Sequence, residues 1–409
     1  MSKPNGINPR LIILALICLL LASSLTGCVP QAPYEQMIAA MKKANNLEYQ
    51  EYVCKASMSL QSDDPEAQQM IEILSEVSYE FNMKLDKKEH RYYLAFDLLY
   101  KGENCGNLDL YCDMEKITVQ SVFLGPKTFV LTWNDLQRLI QVYFGLQIQV
   151  SDYLPLLFET DEKAWEQVET ALYDFYADYF RDKVTAGNQR VKLSVIEDGQ
   201  EKTLTCKELL LQMDSDDFSQ EEASRLLQGI FGNATVRSLI KDKITEFITI
   251  AKNNGDLATW PLTEEELIAF RDIIDSKIDY VLDLMTTSAL QNESSSLSSV
   301  YDLNGKIRID QQGLWRNMVT DQTMKYTNAE TGETFQYKMT IEQNLVNPGQ
   351  VPAFPDLLPE KTINIGQTSA LDWETLTEDI TVNFLTQVMF NPLFQDLARL
   401  STEATDSGN

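Results

Sequence analysis

The sequence predicts an α+β fold: a large, curved, half-barrel-like antiparallel sheet with helices packed on its inner face. Runs in which apolar and polar residues alternate follow one another through short polar turns, which is typical of neighbouring antiparallel strands. About eleven such runs occur in three groups, and segments with helical spacing of apolar residues separate the groups. Hydrophobic residues make up 44% of the 409 despite a net charge of −27, so the chain can bury a substantial core.

An apolar stretch near the start of the chain has the form of an export leader. Lys3 and Arg10 place positive charge ahead of it, Leu11–Leu21 is uninterruptedly apolar, and small residues follow up to Gly27. A membrane-spanning helix needs about 20 apolar residues, so this stretch is too short to be one.

The residues Leu25-Thr26-Gly27-Cys28 resemble the lipobox of bacterial lipoproteins. The resemblance implies that residues 1–27 are a signal peptide and that Cys28 becomes the mature N-terminus, carrying acyl chains such as palmitate. Residues 28–33 would then be a lipidated tether that holds the protein at the extracytoplasmic face of the cell membrane. An ordinary leader with a chance cysteine at its cleavage site is the alternative.

The first part of the body, which spans residues 34–360, reads as a helix and a meander. Tyr34–Ala44 has helical spacing, and a second short helix begins after Asp63 and Asp64. A turn is predicted at Asn104–Gly106. Alternation predicts strands at residues 52–60, 77–85, 92–100, 108–112, 117–121 and 128–132.

The middle of the chain is predominantly helical in pattern. Apolar residues share a helix face from Asn134 onwards, and a longer apolar stripe follows Pro155. A hairpin with an Asp198-Gly199 turn comes next. Ser219 and Thr263 each precede a glutamate by three residues, as in a capping box. The predicted helices lie near residues 220–231, 235–252 and 264–285.

The end of the chain is again a meander followed by a helix. Alternating runs fill residues 306–345, and a proline-rich segment leads to residues 361–409, predicted as a C-terminal helix and a disordered tail from Ser401. Two architectures fit: one sheet with strands from both ends of the chain, or two α+β domains that divide near Gly187.

This layout over residues 34–347 resembles the half-barrel lipid and lipoprotein carriers of the LolA/LolB and LppX/LprG-like families. It is also similar to acidic lipoproteins of Gram-positive bacteria. The carrier resemblance implies an apolar cavity between sheet and helices that holds an acyl chain or glycolipid. The residues implied to line it are Tyr79, Phe81, Met83, Tyr92, Leu94 and Phe96 from the sheet, and Trp165, Leu172, Phe175 and Tyr179 from a helix. The alternative reading of these residues is a filled core.

Few residues suggest catalysis or a bound metal. The single histidine, His90, lies at a charged turn, and nucleophile, P-loop and dinucleotide motifs are absent from the sequence. The acidic segment Asp214–Asp217 lacks the glycine and distal glutamate of a calcium loop. We therefore expect no enzyme activity, no metal and no cofactor.

The four cysteines of the body, taken together, allow either disulfides or free thiols. In an oxidising compartment they could pair as disulfides in three different ways. The four cysteines are Cys54, Cys105, Cys112 and Cys206.

Three classes of function follow from these observations. The first is a membrane-anchored carrier or binding module for a lipid or other apolar ligand. The second is a non-catalytic envelope lipoprotein that has a filled core and binds an envelope protein. The third is a hydrolase that uses paired carboxylates. Binding of nucleic acid is disfavoured by the net charge of −27.

Replacing Cys28 with serine tests the predicted anchor. Cys28→Ser should lose incorporation of alkyne-labelled palmitate and move from the membrane to the soluble fraction, because the acylated thiol is gone. Cys54→Ser, the control, should keep both properties. Labelling followed by cell fractionation measures the two, and labelling that persisted in Cys28→Ser would place the lipid elsewhere.

Overall fold

The computed structural model describes residues 32–64, 67–158, 162–197, 199–291, 297–328, 332–357 and 362–406. The predicted signal peptide, Cys28 and most of the tether lie outside these residues. The described helices are α1 (Pro33–Asn45), α2 (Gln68–Ser75), α3 (Trp133–Phe144), α4 (Val150–Phe158), α5 (Glu162–Phe180), α6 (Gln220–Phe231), α7 (Ala234–Asn254), α8 (Glu264–Asp272), α9 (Ile274–Gln291), α10 (Ala370–Phe390) and α11 (Pro392–Asp406). The described strands are β1 (Tyr49–Ser62), β2 (Val77–Asp86), β3 (Arg91–Tyr100), β4 (Glu103–Cys112), β5 (Lys116–Gln120), β6 (Thr128–Thr132), β7 (Val184–Ala186), β8 (Val191–Glu197), β9 (Gln200–Met213), β10 (Leu297–Ile309), β11 (Trp315–Asn328), β12 (Thr334–Val346) and β13 (Thr362–Asn364).

The chain forms two compact units, and it crosses between them five times. The first unit comprises the described residues within Met1–Leu47, Thr160–Thr245 and Ile268–Glu330. The second unit comprises those within Glu48–Glu159, Glu246–Leu267 and Thr331–Asn409. Gly187, where a subdivision was predicted, lies inside the first unit.

The second unit contains eight of the described strands, in the order β13-β6-β5-β4-β3-β2-β1-β12. Neighbours are antiparallel except for β13, which runs parallel to β6. Strand β2 follows β1 through helix α2, and strands β2 to β6 follow one another through short connections, as the alternating pattern predicted. Strand β12 joins them from the far end of the sequence by pairing with β1.

The first unit places β9 between β10 and β7, and β11 pairs with the other edge of β10. Strand β8 pairs with β9 as the predicted hairpin. Helix α1 packs on α5 in this unit, where Lys42, only 3% exposed, forms an ion pair with Glu169 at 2.9 Å. The α+β class and the mostly antiparallel pairing are therefore confirmed.

Both predicted capping boxes start helices. The Ser219 hydroxyl accepts a hydrogen bond from the Glu222 backbone N–H at 3.1 Å, and Thr263 accepts one from Glu266 at 3.2 Å. The Glu266 carboxylate in turn accepts the Thr263 backbone N–H at 2.8 Å. These bonds satisfy N–H groups that have no partner within the helix.

Several element boundaries differ from the prediction. The turn between β3 and β4 lies at Lys101–Gly102, where both residues have positive φ, rather than at Asn104–Gly106. Helix α4 contains Pro155 in its interior, so its pattern did not read as a helix. The predicted tail is helical as far as Asp406.

The first unit buries a cluster of charged side chains beside β11. The Arg316 guanidinium, 4% exposed, contacts the Glu197 carboxylate and lies 3.2 Å from the Asp310 carboxylate. Arg308 donates hydrogen bonds to Asn317 at 3.0 Å and to Glu208 at 3.4 Å. Since every charge has a partner of opposite sign, the cluster fixes strand positions without leaving an unpaired buried ion.

We expect Arg316→Leu to lower the free energy of unfolding by about 3–5 kcal/mol, because the Asp310 carboxylate would stay buried without its cation. Glu197 would keep only the ion pair with Lys202, at 3.3 Å. The matched control is Arg225→Leu, whose side chain is 53% exposed beside Glu222. That change should cost less than about 1 kcal/mol. Urea denaturation measures both, and equal costs would contradict a stabilising role for the cluster.

The cluster also predicts an acid dependence. Burial raises the pKa of Glu197, but hydrogen bonding and the charge of Arg316 outweigh it, so the net pKa is lowered. A lowered pKa contributes stability above the pKa of the unfolded state, about 4.3, and that contribution is lost as pH falls through the folded value. The stability difference between the wild type and Arg316→Leu should therefore narrow in thermal melts below about pH 4.

Candidate ligand-binding face

The pairing register gathers apolar side chains on one side of the second unit's sheet. Phe81 lies opposite Cys54 on β1 and opposite Phe96 on β3. Phe96 in turn lies opposite Leu108 on β4. Directly opposed residues of antiparallel strands point to the same face, so the apolar sets of four strands merge. We call this surface the apolar sheet face, formed by Tyr79, Phe81, Met83, Tyr92, Leu94, Phe96, Leu108 and Leu110.

The other side of the same strands is polar and internally paired. Lys55 contacts the Glu80 carboxylate at 2.6 Å, across β1 and β2. The Tyr93 hydroxyl donates a hydrogen bond to Asp109 at 2.5 Å, across β3 and β4. Burial raises the pKa of Tyr93, and the bond to Asp109 raises it further. The two faces of the sheet therefore differ sharply in chemistry.

The centre of the apolar sheet face is only partly covered by protein. All six predicted sheet residues are half-buried, and Leu108 is 42% exposed. The aromatic rings there contact one another: Phe96 lies 5.0 Å from Phe81 and 5.7 Å from Tyr79, measured between ring centroids.

One end of the face is closed by helices. Val77 and Tyr100 are almost fully buried, and Leu393 of α11 packs against them. The Tyr100 hydroxyl donates a hydrogen bond to Asp396 of α11 at 2.7 Å. The Asn391 side chain donates another to the backbone carbonyl of Cys105.

The opposite end is bounded by α3 and α4. The Phe158 ring stacks on Tyr92 with centroids 5.5 Å apart, and Trp133 lies 6.3 Å from Phe158. Cys112 sits opposite Tyr92 at this end, and burial raises the pKa of its thiol to about 11. The uncovered centre thus lies between two closed ends.

The predicted helix residues lie on α5 in the first unit, so they belong to a different unit from the sheet residues. Leu172 and Tyr179 are buried, at 5% and 2% exposure, whereas Trp165 is 43% exposed. Phe175 is half-buried against Gly229, where a Cβ would lie only 2.3 Å from its ring. Leu172 and Tyr179 are therefore packed as core residues of that unit.

Sequence reasoning missed three residues of this surface. Leu108 and Leu110 were placed on a strand, but only the register shows that they share the face of Phe96 and Leu94. Phe158 was missed because its helix contains an internal proline.

No second chemical centre is evident in the described part of the chain. His90 lies in a turn with a φ of 49°, and its Nδ1 is buried without a hydrogen-bond partner. The four body cysteines form no disulfide with one another. Among the described residues, no group of three or more His, Cys, Asp or Glu side chains is arranged to hold a metal ion. Nor is any described helix both long and apolar enough to cross a membrane.

Comparison with protein-family models gives no match, and comparison with curated proteins gives none either.

The thiol of Cys112 reports on the environment at one end of the face. With a pKa of about 11 instead of 9.0, it should react with iodoacetamide about a hundredfold more slowly at pH 8 than an ordinary thiol. The rate should keep rising about tenfold per pH unit up to pH 11. Mass spectrometry of a variant with the other three body cysteines changed to serine measures it, and a plateau near pH 9 would contradict the buried position.

Proposed function

We propose that this chain is a membrane-anchored, extracytoplasmic lipoprotein that binds a lipid acyl chain, without catalysis, on the apolar sheet face. The observation that carries the proposal is a contrast in side-chain exposure along the apolar face of one sheet. Tyr100 and Val77, at one end, are 2% and 3% exposed, whereas the six predicted sheet residues are half-buried and Leu108, on β4 just before its pairing with β5 begins at Asp109, is 42% exposed. The apolar side chains between the two closed ends therefore keep surface that a ligand could cover.

The free energy of burial favours a long acyl chain over a small apolar molecule. Each methylene withdrawn from water contributes about 0.8 kcal/mol. Association itself costs an estimated 4–15 kcal/mol, so a ligand needs on the order of ten buried methylenes to bind measurably. Aromatic, leucine and methionine side chains adapt to such a chain without a fixed polar pattern.

The second candidate function is an envelope lipoprotein that binds a protein and carries no ligand. The filled packing around Leu172 and Tyr179 favours it, since those residues have no free surface to offer. In that case the predicted anchor would position an acidic surface for a partner protein in the envelope.

Adjacent residues of β3 give a matched pair of variants for the test. Leu94 lies on the apolar sheet face, whereas Ala95, opposite Asn82 and Asp109, lies on the polar one. The chain from Val29 to Asn409, isolated from a bacterial periplasm, should show in native mass spectrometry an added lipid mass that denaturation releases. Leu94→Lys should lose that mass, because a lysine ammonium desolvated by the ligand is unfavourable. Ala95→Lys should retain it.

A bare polypeptide mass under gentle conditions would support the second candidate instead. Retention of the lipid in both variants would show that the ligand lies elsewhere and would overturn this site. Loss of the lipid in both variants would show that lysine disturbs the strand, which circular dichroism would detect.

A further inference from the structure

The C-terminal end of α3 exposes three consecutive large apolar side chains. Val142, Tyr143 and Phe144 are 71%, 72% and 73% exposed. Gly145 follows with a φ of 70° and ends the helix by donating its N–H to the Gln141 carbonyl at 3.0 Å. We call residues 142–144 the α3 tip.

This exposure means that the tip projects from the body. Consecutive helical residues point about 100° apart, so three in a row cover more than half of the helix circumference. All three side chains are more than 70% exposed, so the last turn of α3 has no protein against it on those sides.

The sequence segment that contains the tip carries no charge, which is unusual in so acidic a chain. Residues 139–151 contain no Asp, Glu, Lys or Arg, although these make up 23% of the protein. The neighbouring segment 257–263 is also uncharged. A hydrogen bond from the Gln147 N–H to the Thr259 hydroxyl, 2.7 Å long, joins this segment to the residues that follow the tip. Leu262 of the same segment is 47% exposed.

We propose that the α3 tip inserts into a lipid bilayer surface. A bilayer accepts a projecting apolar turn without a complementary shape, and tyrosine and phenylalanine suit the boundary between headgroups and acyl chains. An uncharged tip also avoids the repulsion that anionic headgroups exert on a chain of net charge −27.

A second copy of the chain is a poorer binding partner for this tip than a bilayer is. Side chains of this size offer roughly 150–200 Å² each, so the three together present about 400 Å². Stable dimers bury about 800 Å² on each partner.

Tyr280 on α9 provides a matched control for Tyr143. It is also a helical tyrosine, 64% exposed, but it lies between Asp279 and Asp283.

In the experiment, the full chain would carry benzoyl-phenylalanine at position 143 or at position 280. A histidine tag would hold it on vesicles of phosphatidylcholine, phosphatidylglycerol and a nickel-chelating lipid. The proposal rests on the proposed membrane location. Because the histidine tag holds the protein on the vesicles, the test does not depend on lipidation of Cys28.

Irradiation should give lipid adducts at position 143 at least about tenfold more often than at position 280, the factor expected for burial of one aromatic side chain. Phe144→Glu combined with the probe at 143 should lower the adducts by a similar factor. Equal labelling at the two positions, no lipid adducts, or adducts only to a second copy of the chain would overturn the proposal. Failure of palmitate labelling at Cys28 would instead overturn the anchor and leave this result standing.

Discussion

The register of β1 to β4 is the constraint on which the candidate site depends. Side chains alternate between the two faces of a sheet, so a slip of one residue in any strand would exchange its apolar and polar sets. Lys55 opposite Glu80 on one face and Phe81 opposite Phe96 on the other are mutually consistent only in the observed pairing. The apolar sheet face and the polar network behind it are thus two results of a single alignment.

Closure of the face depends on segments far apart in sequence. Leu393 and Asp396 of α11, together with Asn391 just before it, cover one end, almost 300 residues after the strands that they contact. Helix α4 bounds the other end through Phe158. Because neither helix extends over the centre, Leu108 and its neighbours remain partly in contact with solvent. The same helices that stabilise the sheet therefore define the limits of the surface available to a ligand.

Sequence reasoning succeeded where the signal is local. The alternation at residues 77–85 and 92–100 identified β2, β3 and six of the eight residues of the apolar sheet face, because period-2 patterns report directly on which side of a strand is apolar. It could not show that Leu172 and Tyr179 are buried in a separate unit, since that depends on long-range packing such as the contact between Lys42 and Glu169. An internal proline hid α4, and with it Phe158.

The interleaving of the two units has a consequence for biosynthesis. Strand β1 pairs with β12, and the contact between Asp63 and Thr334 joins residues 271 apart in sequence. At a synthesis rate of 5–20 residues per second, β12 appears roughly 15–55 s after β1. Until then one edge of β1 has unpaired backbone groups that can bind another strand. A chain with this connectivity therefore benefits from export in the unfolded state, or from a chaperone that covers this edge until β12 arrives.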